Sequence, residues 1–163
     1  MPEILLPIVF SIALLVLKRI HRTYLFALSA RVAMAAMLVT AAIAHVVFAE
    51  GMSMMLPAVV PYKLELVYLT GVLEAAAAGG LLMPRYKRVT GWLLIVFFVL
   101  ILPANIYAAM NHVNLETAAF DGDGPSYLWY RIPLQLFFIA WVYFSCINPT
   151  AFEKNRFENE KKG

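Results

Sequence analysis

Four long apolar runs divide the chain and limit the folds that are open to it. They cover about Tyr24–Ala49, Tyr62–Met83, Thr90–Met110 and Tyr127–Ile147. An α-helix rises about 1.5 Å per residue, so roughly 20 apolar residues cross the hydrocarbon layer of a bilayer. Each run is long enough for one crossing. The pattern predicts an all-α membrane protein built as a four-transmembrane-helix bundle.

The composition supports a membrane-embedded chain with one domain. Hydrophobic residues make up 63% of the 163 residues and charged residues only 14%, which is well below the share in soluble domains. The segments between the apolar runs are too short to form a hydrophobic core of their own. We therefore expect one transmembrane domain over residues 24–147, with any activity inside the bundle or at its ends.

A further apolar stretch over residues 1–18 precedes this domain. It is somewhat short for a full crossing, contains Pro7 and ends at Lys18 and Arg19. A signal peptide normally carries its positive charges before the apolar segment, whereas here they follow it. We expect an additional, uncleaved N-terminal hydrophobic helix that is interrupted at Pro7, and whether it spans the membrane stays open.

The basic residues predict the orientation of the bundle. They precede the first run, join the second to the third, and follow the fourth: Lys18, Arg19, Arg22, Arg85, Lys87, Arg88, Lys154, Arg156, Lys161 and Lys162. Lys and Arg favour the cytoplasmic side of a membrane. We expect a multi-pass protein of the bacterial inner membrane with a cytoplasmic polar tail over residues 148–163. These clusters suit contact with anionic membrane lipid, and nucleic acid is not an expected partner.

Six polar side chains inside the predicted spans are candidates for a site, because polar groups at membrane depth are costly and often functional. They are His45, Glu65, Glu74, Asn105, Arg131 and Gln135. Five lie within about two turns of the non-cytoplasmic surface, and Glu74 lies about three turns down. Together they predict a polar pocket in the outer half of the bundle, with Arg131 as its cation and Glu65 and Glu74 as its acids.

Two prolines adjoin these candidates. Arg131 and Gln135 are four residues apart and share a helix face, and Pro133 lies between them. Pro103 precedes Asn105 in the third span. Each proline removes a backbone donor, so we expect freed carbonyls to act as local polar partners.

Small residues surround the deepest acid. Gly71, Ala75 and Gly79 form a row at four-residue spacing beside Glu74. Such rows let transmembrane helices approach each other closely. We therefore expect the face that carries Glu74 to point into the bundle.

Structural alternatives to a site remain open for several candidates. Glu74 could be a protonated acid in an interhelical hydrogen bond, and Arg131 could extend to the outer head groups. His45 could be a packed histidine near a helix end. Asn105 could bond the carbonyl that Pro103 frees.

Familiar catalytic and metal-binding patterns are absent from the sequence. Cys146 is the single cysteine, which excludes an intrachain disulfide and a cysteine-built metal cluster. The charge pattern puts the three histidines on opposite sides of the membrane, so we expect no metal site. Nucleotide-binding, zinc-protease and serine-hydrolase motifs are also missing. No cofactor is evident from the residues, and whether the chain is an enzyme stays open.

Three short motifs resemble those of the DoxX-like membrane proteins. They are Thr70-Gly71-x-x-Glu74, Pro103-Ala-Asn-Ile-Tyr107 and Arg131-Ile-Pro-Leu-Gln135, within a resemblance that covers about Tyr24–Phe144. The resemblance implies a four-helix bundle, to which residues 1–17 are an addition. The first helix departs from the family pattern, since His45 is followed by Val46 where family members usually have Phe.

The resemblance and the residues together leave three hypotheses for function. The first is an accessory subunit of a membrane redox system that binds a quinone or a lipid-like ligand in the polar pocket. The second is an assembly factor or chaperone that uses small-residue faces to hold other membrane proteins. The third is an oxidoreductase subunit in which Glu74 and His45 relay protons. A membrane-protein partner or a homo-oligomer is compatible with each of them.

Overall fold

The structure, a computed structural model, describes residues 5–21 and 25–148, and most of that part of the chain is helical. Its helices are α1 (Leu5–His21), α2 (Phe26–Val47), α3 (Ala49–Met54), α4 (Lys63–Leu82), α5 (Lys87–Met110) and α6 (Ser126–Val142). A π-helix, Tyr143–Ile147, continues α6. Within the described ranges, β pairing is limited to an isolated bridge between Asn114 and Ala119.

Four helices are long and apolar enough to cross a membrane, which confirms the predicted all-α membrane bundle. They are α2, α4, α5, and α6 together with its π-helical end. The predicted runs match these helices, and the largest difference is at the start of α5, which begins at Lys87 rather than Thr90. Because α1, α4 and the end of α6 all pack on α2, it is the most buried of the four.

The two ends of the bundle differ in charge. The end with the start of α2, the α4–α5 connection and the π-helix is here called the basic end, and its described charged residues are Lys18, Arg19, Arg31, Arg85, Lys87 and Arg88. The opposite end, called the acidic end, carries Glu50, Lys63, Glu65, Glu116, Asp121 and Asp123. Arg22 and the predicted polar tail beyond Asn148 lie outside the described residues.

Helix α1 lies against α2 as a fifth helix. Leu6 is fully buried, and the ring of Phe10 meets that of Trp141 edge to face with 5.2 Å between their centres. The interruption predicted at Pro7 is corrected, because Pro7 is the third residue of α1, where backbone N–H groups have no acceptor within the helix. The 17 residues of α1 extend about 25 Å.

The apolar core fills the half of the bundle nearer the basic end. Met34 and Leu38 of α2 pack in the same cluster as Phe98 of α5 and Phe138 of α6. The rings of Phe98 and Phe138 lie 5.9 Å apart between centres. The buried polar candidates Glu74, Asn105 and Gln135 lie between this core and the acidic end, within the bundle rather than at its lipid-facing surface.

A short helix and a structured loop cover the acidic end. The backbone leaves α2 at Phe48 and continues as α3, in a region that the sequence predicts as a loop. Gly51 of α3 lies directly against the backbone of Leu115, where a side chain would not fit. The Asn114 side chain accepts hydrogen bonds from the next loop amides, and Ala118 has a positive φ of 50°. The short helix α3 and the loop that contains Leu115 therefore form an ordered cap over the acidic end.

Candidate functional site

His45 and Glu74 join α2 to α4. The Nδ1 atom of His45 lies 3.3 Å from Oε2 of Glu74 and 2.8 Å from the carbonyl oxygen of Ala41. A carbonyl oxygen only accepts hydrogen bonds, so Nδ1 carries a hydrogen and donates a hydrogen bond to the carbonyl oxygen of Ala41. Glu74 is 6% exposed, and its Oε2 makes no hydrogen bond in the described part of the chain. The pair is thus an electrostatic contact that leaves one buried carboxyl oxygen without a donor.

Gly71 makes this contact possible. A Cβ atom added at Gly71 would lie 2.8 Å from Cβ of His45 and 3.4 Å from the carbonyl oxygen of Ala42. Gly71 and Glu74 are three residues apart, so they share one face of α4. The missing side chain at Gly71 lets α2 approach closely enough for His45 to reach the acid.

The pair lies deeper in the bundle than the sequence predicts for His45. Glu74 is eleven residues beyond Lys63, the first residue of α4, which is about 16 Å along the helix. His45 lies beside it, whereas one turn of depth was expected from the apparent end of the first span. The chain continues after α2 as α3, which also packs on α4, so the end of α2 is not the end of the bundle.

Arg131 brings a positive charge from α6 to the same region. It is half-buried, and its guanidinium interacts electrostatically with Glu74. The two residues therefore form the cation and acid of one cluster, contributed by different helices. With His45, three helices supply ionisable side chains to what we call the mid-bundle cluster: His45, Glu74 and Arg131.

Gln135 links α6 to α5 just below Arg131. Its side chain is 3% exposed, and Nε2 donates a hydrogen bond to the carbonyl oxygen of Phe98. Pro103 lacks the N–H that would bond Val99, the next carbonyl along α5. The amide thus fastens α6 to the turn of α5 that the proline perturbs.

Asn105 is buried but bonds within its own helix. It is 3% exposed, and Nδ2 donates to the carbonyl oxygen of Ile101 at 3.2 Å. We expected Asn105 to bond the carbonyl group that Pro103 leaves without a donor. That carbonyl belongs to Val99, and Asn105 does not bond it. A carbonyl four residues back lies one turn away, whereas one six residues back is out of reach.

Glu65 does not join the cluster, which corrects the predicted pair of pocket acids. It lies in the first turn of α4 and is exposed. Nine residues are about two and a half helical turns, so Glu65 and Glu74 project to opposite sides of α4. The predicted small-residue row is corrected as well, since Ala75 and Gly79 are exposed and only Gly71 is buried.

A cleft of about 310 Å³ lies at the acidic end, apart from the cluster. Its walls come from the end of α2, from α3, from α4 and from the loop between α5 and α6, and include Val46, Glu50, Tyr68 and Glu116. None of the six predicted site residues lines it. The lining nevertheless begins at Val46, the residue that follows His45.

Arg31 is a buried charged residue that our sequence analysis did not single out. It is 9% exposed on α2, and its Nε donates to the carbonyl oxygen of Ala27 at 3.2 Å. The rule that marks polar residues inside apolar runs applies to it equally.

The π-helix beside Arg31 was missed because a wider helical turn leaves no simple signature in a sequence.

The mid-bundle cluster suits an organic polar group better than a metal ion. Within the described ranges, no three His, Cys, Asp or Glu side chains are grouped so that they could hold a metal. Arg131 supplies fixed donors, and Glu74 supplies an acceptor or, when protonated, a donor. The surroundings are apolar on the core side, at Phe98 and Phe138. The arrangement can hold the polar head of a lipophilic molecule.

Comparison with known proteins places this architecture in a family. A family described as "Domain of unknown function (DUF8561)" matches residues 34–146, which include all six predicted site residues. No curated protein and no solved structure matches the chain. The match carries no link to the DoxX-like proteins, so that resemblance stays a prediction. Since the match covers more than half of the chain, this membrane-embedded bundle belongs to the DUF8561 family of domains of unknown function.

Proposed function

We propose that this protein binds a small lipophilic ligand by its polar head at the mid-bundle cluster. The observation that carries the proposal is the buried Oε2 of Glu74, which lies 3.3 Å from Nδ1 of His45 and makes no hydrogen bond among the described residues. Arg131 of a third helix interacts electrostatically with the same carboxyl group. A buried acceptor of this kind costs free energy unless a donor reaches it. A ligand that donates a hydrogen bond to Oε2 would remove that cost, and so would a proton that Glu74 and the ligand share.

A quinone is the ligand class we favour, with a lipid head group as the second. Quinone oxygens accept hydrogen bonds, and the guanidinium of Arg131 and a protonated Glu74 both donate them. The reduced quinone carries hydroxyl groups, and an ionised Glu74 can accept hydrogen bonds from them. The cluster therefore has groups that suit either form.

We further propose that the protein acts as an accessory subunit of a redox system in a bacterial inner membrane. The resemblance of its motifs to the DoxX-like proteins supports the redox association. The basic residues at one end support a cytoplasmic C-terminus. In this proposal the chain binds the ligand and a partner supplies the electron-transfer centre.

Ligand binding can be tested by titrating decylubiquinone, a soluble quinone, into the protein in mild detergent and following tryptophan fluorescence. We expect Glu74→Gln to weaken binding about tenfold, because the amide loses the charge that interacts with Arg131. Glu65→Gln is the matched control, since it makes the same change on the opposite side of α4. Its affinity should stay within about twofold of the wild type.

Two results would count against a quinone site. Equal losses in the two variants would show that the effect is not local to the cluster, and an absence of any saturable quenching would remove quinone as the ligand. Native mass spectrometry of the purified protein, with an absorbance spectrum of its organic extract, would identify a different ligand. A co-purified molecule lost in Arg131→Ala would then replace quinone in the same site.

An assembly factor remains the second candidate, because one face of α4 presents small residues outward. Ala75, Ala76 and Gly79 are exposed, and no atom lies within 4 Å of a Cβ added at Gly79. Such a face accepts a close-packed helix from another membrane protein. Affinity purification would detect a client, and Gly79→Leu should abolish its recovery without affecting quinone binding.

The third candidate, an oxidoreductase subunit, uses the same cluster differently. The contact of His45 with Glu74 provides a proton donor and acceptor pair beside a bound quinone. The oxidoreductase hypothesis predicts that Glu74→Gln would lower turnover in the complex with an electron-carrying partner and leave quinone affinity unchanged. A parallel loss of affinity and turnover favours the binding role instead.

A further inference from the structure

Three cationic side chains surround the π-helical end of α6. Gly91 of α5 packs against Cys146, with 2.9 Å between an added Cβ and Cβ of the cysteine, and Lys87 lies one turn earlier on the same face of α5. Helix α2 packs on the same π-helix, and Trp141 of α6 donates to the carbonyl oxygen of Ala30, the residue before Arg31. Arg88 donates from Nη2 to the carbonyl oxygen of Ile147 at 3.5 Å. Two helices thus direct positive charge to one helix terminus.

Arg31 is the member of this group that most requires a counter-charge. It is 9% exposed, and its one described hydrogen bond goes to the backbone of its own helix. No carboxylate forms an ion pair with it in the described part of the chain, where the ion pair found joins His45 and Glu74. A buried cation in a membrane protein is normally paired with an acid or with a bound anion.

The described residues of the basic end offer no acid for this role. Every Asp and Glu among residues 5–21 and 25–148 lies at the acidic end or in the middle of α4. The carbonyl groups at the end of the π-helix carry only a partial negative charge. Among the described residues, the basic end therefore carries an excess of positive charge.

From this geometry we propose that the basic end holds an anion-binding site for a phosphate group, formed by Arg31, Lys87 and Arg88 around the π-helical end of α6. Arg binds phosphate through two parallel hydrogen bonds, and Lys adds a compact charge. Basic pockets between transmembrane helices are typical sites for anionic lipid head groups. The phosphate belongs to such a lipid or is free in solution. This site is separate from the mid-bundle cluster and does not depend on the function proposed for it.

Lipid titration followed by native mass spectrometry tests the site on the full chain. Delipidated protein in neutral detergent is titrated with dioleoyl phosphatidylglycerol and with dioleoyl phosphatidylcholine, whose acyl chains are identical. We expect the wild type to bind one phosphatidylglycerol about tenfold more tightly than phosphatidylcholine. Arg31→Gln should remove most of that preference. Arg85→Gln, a charge loss at an exposed position of the same end, should change it by less than about twofold.

Competition with inorganic phosphate distinguishes the two sources of the anion. If excess phosphate displaces phosphatidylglycerol, the site takes a free phosphate; if it does not, the site takes the lipid. Both results support a phosphate site. Equal binding of the two lipids by the wild type, with no binding of phosphate, would overturn it, and so would equal losses in Arg31→Gln and Arg85→Gln.

A second variant covers the case in which Arg31→Gln does not fold. Lys87 is half-buried at the first residue of α5, where a glutamine is readily accommodated. Lys87→Gln should lower the affinity for phosphatidylglycerol by about fivefold, since one basic residue near the membrane surface contributes on the order of that factor. An affinity equal to that of Arg85→Gln would contradict the site.

Discussion

The mid-bundle cluster and the basic end bury charge in two different ways. In the cluster, Glu74 lies 3.3 Å from His45 and interacts electrostatically with Arg131, so opposite charges come from different helices. At the basic end, Arg31 is buried with Lys87 nearby and with no carboxylate among the described residues. A charge in an apolar environment is costly unless an opposite charge accompanies it. The cluster therefore contributes to holding the helices together, whereas at the basic end we propose that an anion from the membrane or the solution balances the charge.

The largest expected effect comes from separating α2 and α4 at the cluster. Gly71→Leu should lower the free energy of unfolding by about 3 kcal/mol or more, because its Cβ alone would lie 2.8 Å from Cβ of His45. Unfolding by SDS titration in mixed micelles measures the change. Gly79→Leu, on the exposed side of the same helix, is the control and should change it by less than about 0.5 kcal/mol.

If Gly79→Leu were as damaging as Gly71→Leu, helix propensity or insertion, rather than the close approach to His45, would explain both losses. The comparison between the cluster and the basic end would then lose its structural basis, because the cluster would no longer depend on the contact of α2 with α4.

The second largest effect is a difference in stability between Glu74→Leu and Arg31→Leu. Glu74 interacts with an opposite charge of the protein, whereas Arg31 has no such partner among the described residues. Glu74→Leu should lower the free energy of unfolding by about 2 kcal/mol in neutral detergent, because Arg131 loses the acid with which it interacts. Arg31→Leu should leave the free energy within about 0.5 kcal/mol of the wild type, or raise it, since it removes a buried charge without a carboxylate partner. Both variants are measured by the same SDS titration.

Glu65→Leu is the control for Glu74→Leu and should be nearly neutral, because Glu65 is exposed on the opposite side of α4. A strong loss of stability in Arg31→Leu under these conditions would mean that residues of the chain already balance its charge. The contrast between the two regions would then disappear.

The smallest effect concerns the hydrogen bond that joins α6 to α2 beside Arg31. Nε1 of Trp141 donates to the carbonyl oxygen of Ala30 at 3.0 Å. Trp141→Phe should cost about 0.6 kcal/mol, the average for side-chain hydrogen bonds between membrane helices. Trp129→Phe, at a position that is 86% exposed, is the control and should be neutral. A loss above about 2 kcal/mol would show that ring packing, including that on Phe10, dominates this contact.

The spans of this protein follow from its sequence because hydropathy is a sum over neighbouring residues. The long apolar runs set the positions of α2, α4, α5 and α6 to within a few residues. The polar residues inside those runs could be named for the same reason, and Arg31 could have been added by the same rule. The short helix α3 and the π-helix were not predicted, because both depend on backbone contacts at the end of a span.

The tertiary structure decided which of these polar residues meet. Helical spacing alone puts Glu65 and Glu74 on opposite sides of α4, but only packing decides that the side with Glu74 and Gly71 faces α2. The depth of His45 likewise depends on how α2 and α3 lie along α4. Bilayer length and charge are properties of single segments and can be read in order along the chain, whereas the pairing of His45 with Glu74 depends on the close approach of two helices, which no single segment specifies.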